Sequence, residues 1–230
     1  MAAEAKTKAK VLEVKELAKS FDHHAAVNGI SFALVPGSVT ALVGPNGSGK
    51  TTIIRTVAGL SKPDSGRIEI LGAGAGSRQA RSVTSIIFDE PALYADLTVW
   101  EHLAFSARLC GVEDFSERAD DLLKRFSITE LRDFLPSGFS RGQRQKVSLA
   151  MGLVRPFKLL ILDEPSNGLD GPGVRSLAAS LTEAAEAGAA VLVATHLPDL
   201  LQVCGAMLAI SDGKLVYQGK PDRSRIESPS

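Results

Sequence analysis

Charge of either sign is missing from this chain as a net quantity: 26 Lys and Arg stand against 26 Asp and Glu in 230 residues. Without a basic excess, there is no reason to expect DNA, RNA or an anionic lipid surface as the main partner. Cysteine is nearly absent. The two present, Cys110 and Cys204, are far apart and show no CxxC or Cys/His spacing, which argues against a metal or redox framework and for reduced thiols in a reducing cytosol. No apolar run reaches the roughly 18–20 residues needed to cross a bilayer. Residues 1–10 are Ala- and Lys-rich without the apolar centre of a signal peptide, so they read as a short disordered arm. Residues 221–230 read as a polar tail, and the short stretch after Gly219 is expected to carry no regulatory domain. Any role at a membrane would be exercised from one side, through a partner.

What is present is a soluble-protein composition, 44% hydrophobic, in a length that suits one domain with an inserted subdomain. Short, partly alternating runs at Val11–Leu17 and Ile30–Leu34 suggest strands. Val39–Val43 is nearly all apolar, as a strand buried on both faces in a parallel sheet should be. A loop, Gly44–Gly49, and a helical stretch, Lys50–Leu60, come next. Arg67–Leu71 is a further strand candidate and Gly72–Gly76 a flexible turn. From Val99 to Val154 apolar residues recur at helical spacing (Leu103, Phe105, Leu109; Leu122, Leu123, Phe126; Val147, Leu149, Met151). Leu159–Leu162 and Val191–Ala194 are two more buried strands, with an Ala-rich helix, Val174–Ala187, between them. Ser211-Asp212-Gly213-Lys214 is a hairpin turn.

Three apolar strands thus end in residues capable of chemistry, and ligands of open α/β sheets bind beyond the carboxyl ends of strands. Gly44 to Thr51, GPNGSGKT, matches the phosphate-loop pattern G-x-x-x-x-G-K-[ST] in full. Its glycines, Gly44, Gly47 and Gly49, let consecutive N–H groups of the segment Gly44-Pro45-Asn46-Gly47-Ser48-Gly49 face an anion. The helix after it offers its positive end. Lys50 offers a point charge for the β- and γ-phosphates, and the Thr51 hydroxyl, followed by Thr52, a ligand for Mg²⁺. Asp163 can hold Mg²⁺ through water, and Glu164 can orient and deprotonate an attacking water. His196, closing a neighbouring strand, suits a γ-phosphate contact.

Taken together the motifs resemble those of ATP-binding cassette (ABC) ATPases, the nucleotide-binding subunits of ABC transporters. GPNGSGKTT is similar to Walker A, LLILDEP to Walker B with Glu164 as its catalytic carboxylate, SNGLD (Ser166–Asp170) to the D-loop, and ATH to the switch histidine. FSRGQ (Phe139–Gln143) resembles the signature LSGGQ, and DEPALYADLTV (Asp89–Val99) is similar to the Q-loop and the contact region behind it. The resemblance covers about Val11 to Gly219. It implies an α/β P-loop NTPase core with a mostly parallel sheet (residues 11–88 and 155–220 of one domain, 11–220), an N-terminal antiparallel β subdomain and a helical insert over about 89–154. It implies ATP and Mg²⁺ as cofactors and Phe21 as an adenine platform, against the alternative of a core Phe. It implies Ser140, Gly142 and Gln143 as contacts to a nucleotide held by a second subunit in a head-to-tail homodimer or heterodimer. Permease subunits would dock near Leu93–Trp100, although packing of the insert onto the core explains that apolar segment too. The expected location is cytoplasmic, peripheral on the inner face of the cell membrane.

Two positions depart from the family pattern. Asp89 stands where a Gln is usual; a shorter, charged side chain could ligate Mg²⁺ or turn away. Arg141 stands for a Gly; it could add a contact to phosphate or crowd a close backbone approach. Arg144, Gln145 and Lys146 read as a solvated basic helix face. The functional expectation is an ATP-hydrolysing subunit powering transport, in particular export of the drug or antibiotic type. A soluble single-cassette ATPase, such as an iron–sulfur cluster assembly type, and a nucleotide switch without turnover are the alternatives.

Overall fold

The computed structural model describes residues 9–22 and 24–222, so most of the expected arm and tail lies outside the described residues. Strands β1 (Leu12–Phe21) and β2 (His24–Leu34) pair antiparallel, and β4 (Ser65–Ile70) and β5 (Ala73–Gly74) extend them into a four-stranded sheet of order β2-β1-β4-β5. β1 and β2 are longer than their apolar alternation suggests. Register shifts between Val14 and Ser20 break the period-two pattern from which a strand is read, and Glu16 takes a left-handed φ of 47° there.

The second sheet has six strands in the order β10-β9-β3-β8-β7-β6. β3 (Val39–Val43), β7 (Leu159–Asp163) and β8 (Ala190–Ala194) are buried at every residue. That results from helices on both faces of parallel strands, where no residue can point to water. β6 (Thr84–Ile87), β7, β8, β3 and β9 (Ala206–Ser211) run parallel; only β10 (Lys214–Gly219) is antiparallel, joined to β9 by a turn with Asp212 and Gly213 at φ 47° and 72°. β6 carries no sequence signal because half of it is hydroxyl. Thr84 and Ser85 are buried, and their Oγ atoms donate to Ala80 O (2.8 Å) and Gly152 O (2.7 Å), which removes the cost of placing them in a core.

Helix α1 (Lys50–Val57) follows β3, and the five-residue α2 (Arg78–Ser82) precedes β6. The stretch after β6 holds α3 (Val99–Arg108), α4 (Ser116–Arg125), two short 3₁₀ turns and α5 (Arg141–Leu153). Thr98 and Glu101 form a capping box at α3, Ser140 and Gln143 another at α5. Their buried faces, from Leu103 through Leu122, Leu123 and Phe126 to Val147 and Leu149, join one apolar cluster with Val43, Leu162 and Val193 of the sheet. Phe105 and Leu109 do not join it: they are 41% and 70% exposed. Helix α6 (Gly171–Glu186) begins three residues earlier than Val174, because the Asp170 carboxylate accepts from Gly173 N (3.0 Å) and Pro172 suits a first turn. A last short helix, α7 (Pro198–Leu201), leads to Cys204, which is buried with its thiol pushed up to about 12 by desolvation, an inert core group.

Helix α5 packs tightly on the sheet at Gly152, where a Cβ would lie 2.6 Å from Ile87 Cδ1 while the carbonyl takes the Ser85 hydroxyl. Gly152→Val is expected to cost about 1–3 kcal/mol through overpacking, read as a lower urea midpoint with an unchanged m value.

Candidate functional site

The carboxyl ends of β3, β8, β7 and β6 share one rim because these strands are parallel. β8 lies between β3 and β7, so at normal strand spacing the loop after β3 and the acidic end of β7 stand about 10 Å apart. They bound a cavity of about 510 Å³ lined by the Asn46–Thr52 loop and helix start, by Asp163, Glu164 and Asn167, by His196, and by Asp89 and Ala26.

Gly49 caps α1 in a left-handed conformation (φ 105°), and a Cβ there would sit 2.3 Å from Ala26 O, so the loop closes only with glycine at this position. Gly47 (φ 81°) faces open space. No acidic residue occupies the first turn of α1, which leaves its amides and partial positive charge for an anion. The Lys50 ammonium donates to Gly44 O (2.7 Å) and Pro45 O (3.1 Å), folded over the loop it serves. Ser48 is buried with an unpartnered hydroxyl.

Opposite the loop, Asp163 is 4% exposed and its Oδ1 has no hydrogen-bond partner. Burial pushes its carboxyl above the ordinary 3.8; the Thr51 hydroxyl offsets part of the effect. Burial likewise raises Glu164 above 4.5, against the pull of His196 and Lys50. Glu164 takes a left-handed φ of 44°, a strained backbone held by its N–H bond to Ala194 O (3.0 Å). His196 Nδ1 lies 3.2 Å from Glu164 Oε2, without the angle of a hydrogen bond. The Thr195 hydroxyl, buried beneath, accepts from Leu197 N (3.1 Å) and fixes the turn that carries His196. A buried, incompletely paired carboxylate beside a threonine hydroxyl and facing an anion cradle is a donor set for a hard divalent cation shared with a phosphate chain; these residues fit Mg²⁺ with a nucleoside triphosphate.

Not every expected residue enters this cavity. Phe21 ends β1, 51% exposed beneath the Lys19 ammonium (5.3 Å), so it is not a core residue; it lies outside the cavity wall, on the same hairpin as Ala26. Ser140, Gly142 and Gln143 also lie outside it, at the start of α5. Asp89 does line it, but its Oδ1 accepts from Arg141 Nη2 (2.9 Å) and Asn167 Nδ2 (2.8 Å). Asn167, within the SNGLD segment, has no role of its own in the sequence reading, and Ala26 is a wall residue that the motif pattern does not single out. The basic face expected at 144–146 is not solvated: Gln145 is fully buried and donates to Pro165 O (3.1 Å), and Lys146 reaches Asp170 (3.1 Å) with its side chain 14% exposed. Both tie α5 to the segment after β7.

A glycine loop facing acidic strand ends across a parallel sheet defines the class, a P-loop nucleotide-binding protein. Comparison with known proteins gives the family. The ABC transporter family model matches residues 27–167, and the chain belongs to that family. It is 38% identical over 209 residues to the SkfA peptide export ATP-binding protein SkfE of Bacillus subtilis (strain 168), covering 90% of this chain and 87% of that one. It is 34% identical over 221 residues to the sulfate/thiosulfate import ATP-binding protein CysA of Synechococcus elongatus (strain ATCC 33912 / PCC 7942 / FACHB-805), covering 94% of this chain and 64% of CysA. A solved ATP-binding subunit of an ABC transporter superposes with a TM-score of 0.88 at 31% identity, over 94% of this chain and 92% of the other. The expected α/β P-loop architecture, with one antiparallel and one mostly parallel sheet, is therefore the observed one.

Because the folded protein holds Asp163 and Glu164 above their ordinary values, the stability they contribute is full below 3.8 and 4.5 and is lost as pH rises through the raised values. A bound cation reverses the preference. The Mg²⁺-dependent part of ATP affinity should thus increase with pH just above those ordinary values, with proton release seen by calorimetry in two buffers. Asp163→Asn should melt higher than the parent at neutral pH, by about 2–4 °C per kcal/mol relieved, while losing that Mg²⁺ dependence.

Proposed function

We propose that this chain binds Mg-ATP in the cavity between the Lys50 loop and the end of β7 and hydrolyses it, and that a pair of such subunits powers transport through membrane-spanning partners. The observation that carries the reading is the confrontation of the Lys50 loop with the buried, incompletely paired Asp163–Glu164 pair. Gly44 to Thr52 would cradle the triphosphate, with Lys50 turning from its own loop carbonyls to the β- and γ-phosphates. Thr51 and Asp163 would hold Mg²⁺, which supplies charge neutralisation at the phosphates when bound. Glu164, raised toward neutrality by burial, is suited to accept the proton of an attacking water, and His196 beside it to contact the γ-phosphate. Asp89 keeps one carboxylate oxygen beyond its two bonds and would face the metal edge. Ser140, Gly142 and Gln143, at an exposed helix start, would complete the site of a second subunit head to tail. Phe21, half exposed, would stack on adenine.

The export direction draws on the likeness to SkfE; the likeness to CysA, named for import, pulls the other way. Export is the reading we adopt, on the similarity over nearly the full length of SkfE. No helix among the described residues is long and apolar enough to cross a membrane, so membrane partners would supply the passage, with this subunit at the cytoplasmic face of the cell membrane. The docking surface expected near Leu93–Trp100 narrows here to its exposed part and what adjoins it. Val99 is buried, and Trp100 is half-buried, stacked under Arg132 (3.5 Å) and against Phe115 (5.3 Å). Tyr94 stays 53% exposed and meets Phe105 edge-on at 5.6 Å, with Leu109 one turn beyond. That aromatic and aliphatic patch suits a partner helix.

Lys50→Ala should weaken Mg-ATP binding at least tenfold, and Glu164→Gln should bind ATP while losing phosphate release about a hundredfold or more; equal affinity in the first would overturn the site. His102, fully buried, accepts from Tyr94 N at Nε2 (2.8 Å) while its Nδ1 pairs with Thr98 O (2.7 Å). His102→Leu should speed amide exchange at Tyr94 and weaken capture of membrane partners from detergent extracts, with Mg-ATP affinity unchanged.

A further inference from the structure

The two positions that break the family pattern touch each other. Asp89, after β6, and Arg141, the first residue of α5, are 52 residues apart in sequence, yet Arg141 Nη2 donates to Asp89 Oδ1 at 2.9 Å. The contact is built from below. The Arg141 stem runs over Gly168, whose Cβ, were there one, would lie 3.2 Å from Arg141 Cγ, and Asn167 donates to the same Asp89 oxygen at 2.8 Å. At Gly142 a Cβ would meet Gly168 O at 2.4 Å, so the start of α5 and the loop after β7 are in backbone contact. Arg141 therefore does not crowd that approach: its side chain leaves the interface over Gly168 and ends on Asp89.

The pair is accessible to solvent, with side chains 63% (Arg141) and 43% (Asp89) exposed. An ion pair of that exposure is weak and easily exchanged. Its two ends serve different places. Asp89 belongs to the wall of the chain's own cavity, while Arg141 stands at the helix start proposed to meet the nucleotide of a second subunit. One guanidinium cannot fully satisfy both a carboxylate of its own chain and a phosphate of another.

We propose that the Asp89–Arg141 pair is a latch, closed within the single subunit and opened when ATP draws two subunits together, Arg141 exchanging the Asp89 carboxylate for the γ-phosphate held by the second copy. Asp89 is released in the same step to face its own metal and nucleotide, so pairing and completion of the site are linked through one side chain. The scheme rests on the head-to-tail reading of the proposed function.

The test is ATP-driven association of full-length protein in the Glu164→Gln background, followed by analytical ultracentrifugation over an ATP titration with Mg²⁺. Asp89→Asn removes the competing charge and keeps the side-chain shape. It should lower the ATP concentration for half-maximal pairing about two- to fivefold, the scale of an exposed ion pair. In an Arg141→Gly background the same substitution should shift half-maximal pairing only as far as it shifts the chain's own Mg-ATP affinity. Mg-ATP affinity of dilute monomer, measured alongside, separates an effect on the chain's own site. A dimer whose ATP dependence ignores Asp89→Asn, or responds equally with and without Arg141, overturns the latch alone. Protein that binds ATP and stays monomeric at saturation overturns the head-to-tail reading and the latch with it.

Discussion

Burying a carboxylate is unfavourable unless a cation or a full set of donors meets it, and β7 delivers two such groups in succession to the rim of a parallel sheet. Asp163 has an oxygen without a hydrogen-bond partner, and Glu164 sits in left-handed backbone beside a histidine that fails to bond it well. Much of the surrounding structure can be understood as support for that unfavourable arrangement. β7 is flanked on both sides by parallel strands, so its end cannot drift. The Glu164 amide is anchored to Ala194, and the adjoining Thr195 fixes the turn of His196. The strain is held in place by the sheet, as functional strain must be.

The same rim brings together opposite halves of one electrostatic problem. The loop after β3 collects amide dipoles and an ammonium that donates to its own loop carbonyls; the end of β7 collects negative charge that Lys50 and its neighbours offset in part. A magnesium–triphosphate carries both signs in the complementary order. Each half alone is a cost to folding, and the ligand proposed for the cavity would relieve both at once. Differential stabilisation of this kind also couples binding to protonation, because the carboxyls change their preferred state when the cation arrives.

The sequence was most informative where a function demands a compact pattern. The phosphate loop is legible because its glycines, lysine and threonine are contiguous, and the buried strands β3, β7 and β8 because parallel packing forces unbroken apolar runs. Legibility failed where tertiary partners override local pattern. β6 hides because Thr84 and Ser85 find buried acceptors that no local window contains. The full lengths of β1 and β2 hide behind bulges. Gln145 and Lys146 read as a wet surface because their partners, Pro165 and Asp170, lie about twenty residues on. Ala26 carries no signal of its own, and Asn167 only that of the SNGLD segment around it: a wall residue is defined by what it faces.

Asp89 and Arg141 are the sharper case. Taken singly, each is a substitution with two opposed readings, a stronger ligand or a lost one, a new phosphate contact or a steric obstacle. Distance along the chain gives no reason to consider them jointly. The contact at 2.9 Å does. A carboxylate in the cavity wall adds negative charge to a rim that already holds Asp163, whose carboxyl is pushed further upward by Asp89 itself. A guanidinium one contact away offsets that charge, and Gly168 leaves room for its stem to arrive. The two departures are thus mutually compensating in charge, and neither can be judged by comparing its position alone with the family pattern. What one substitution does to the site depends on whether the other is present, because they share a single ion pair.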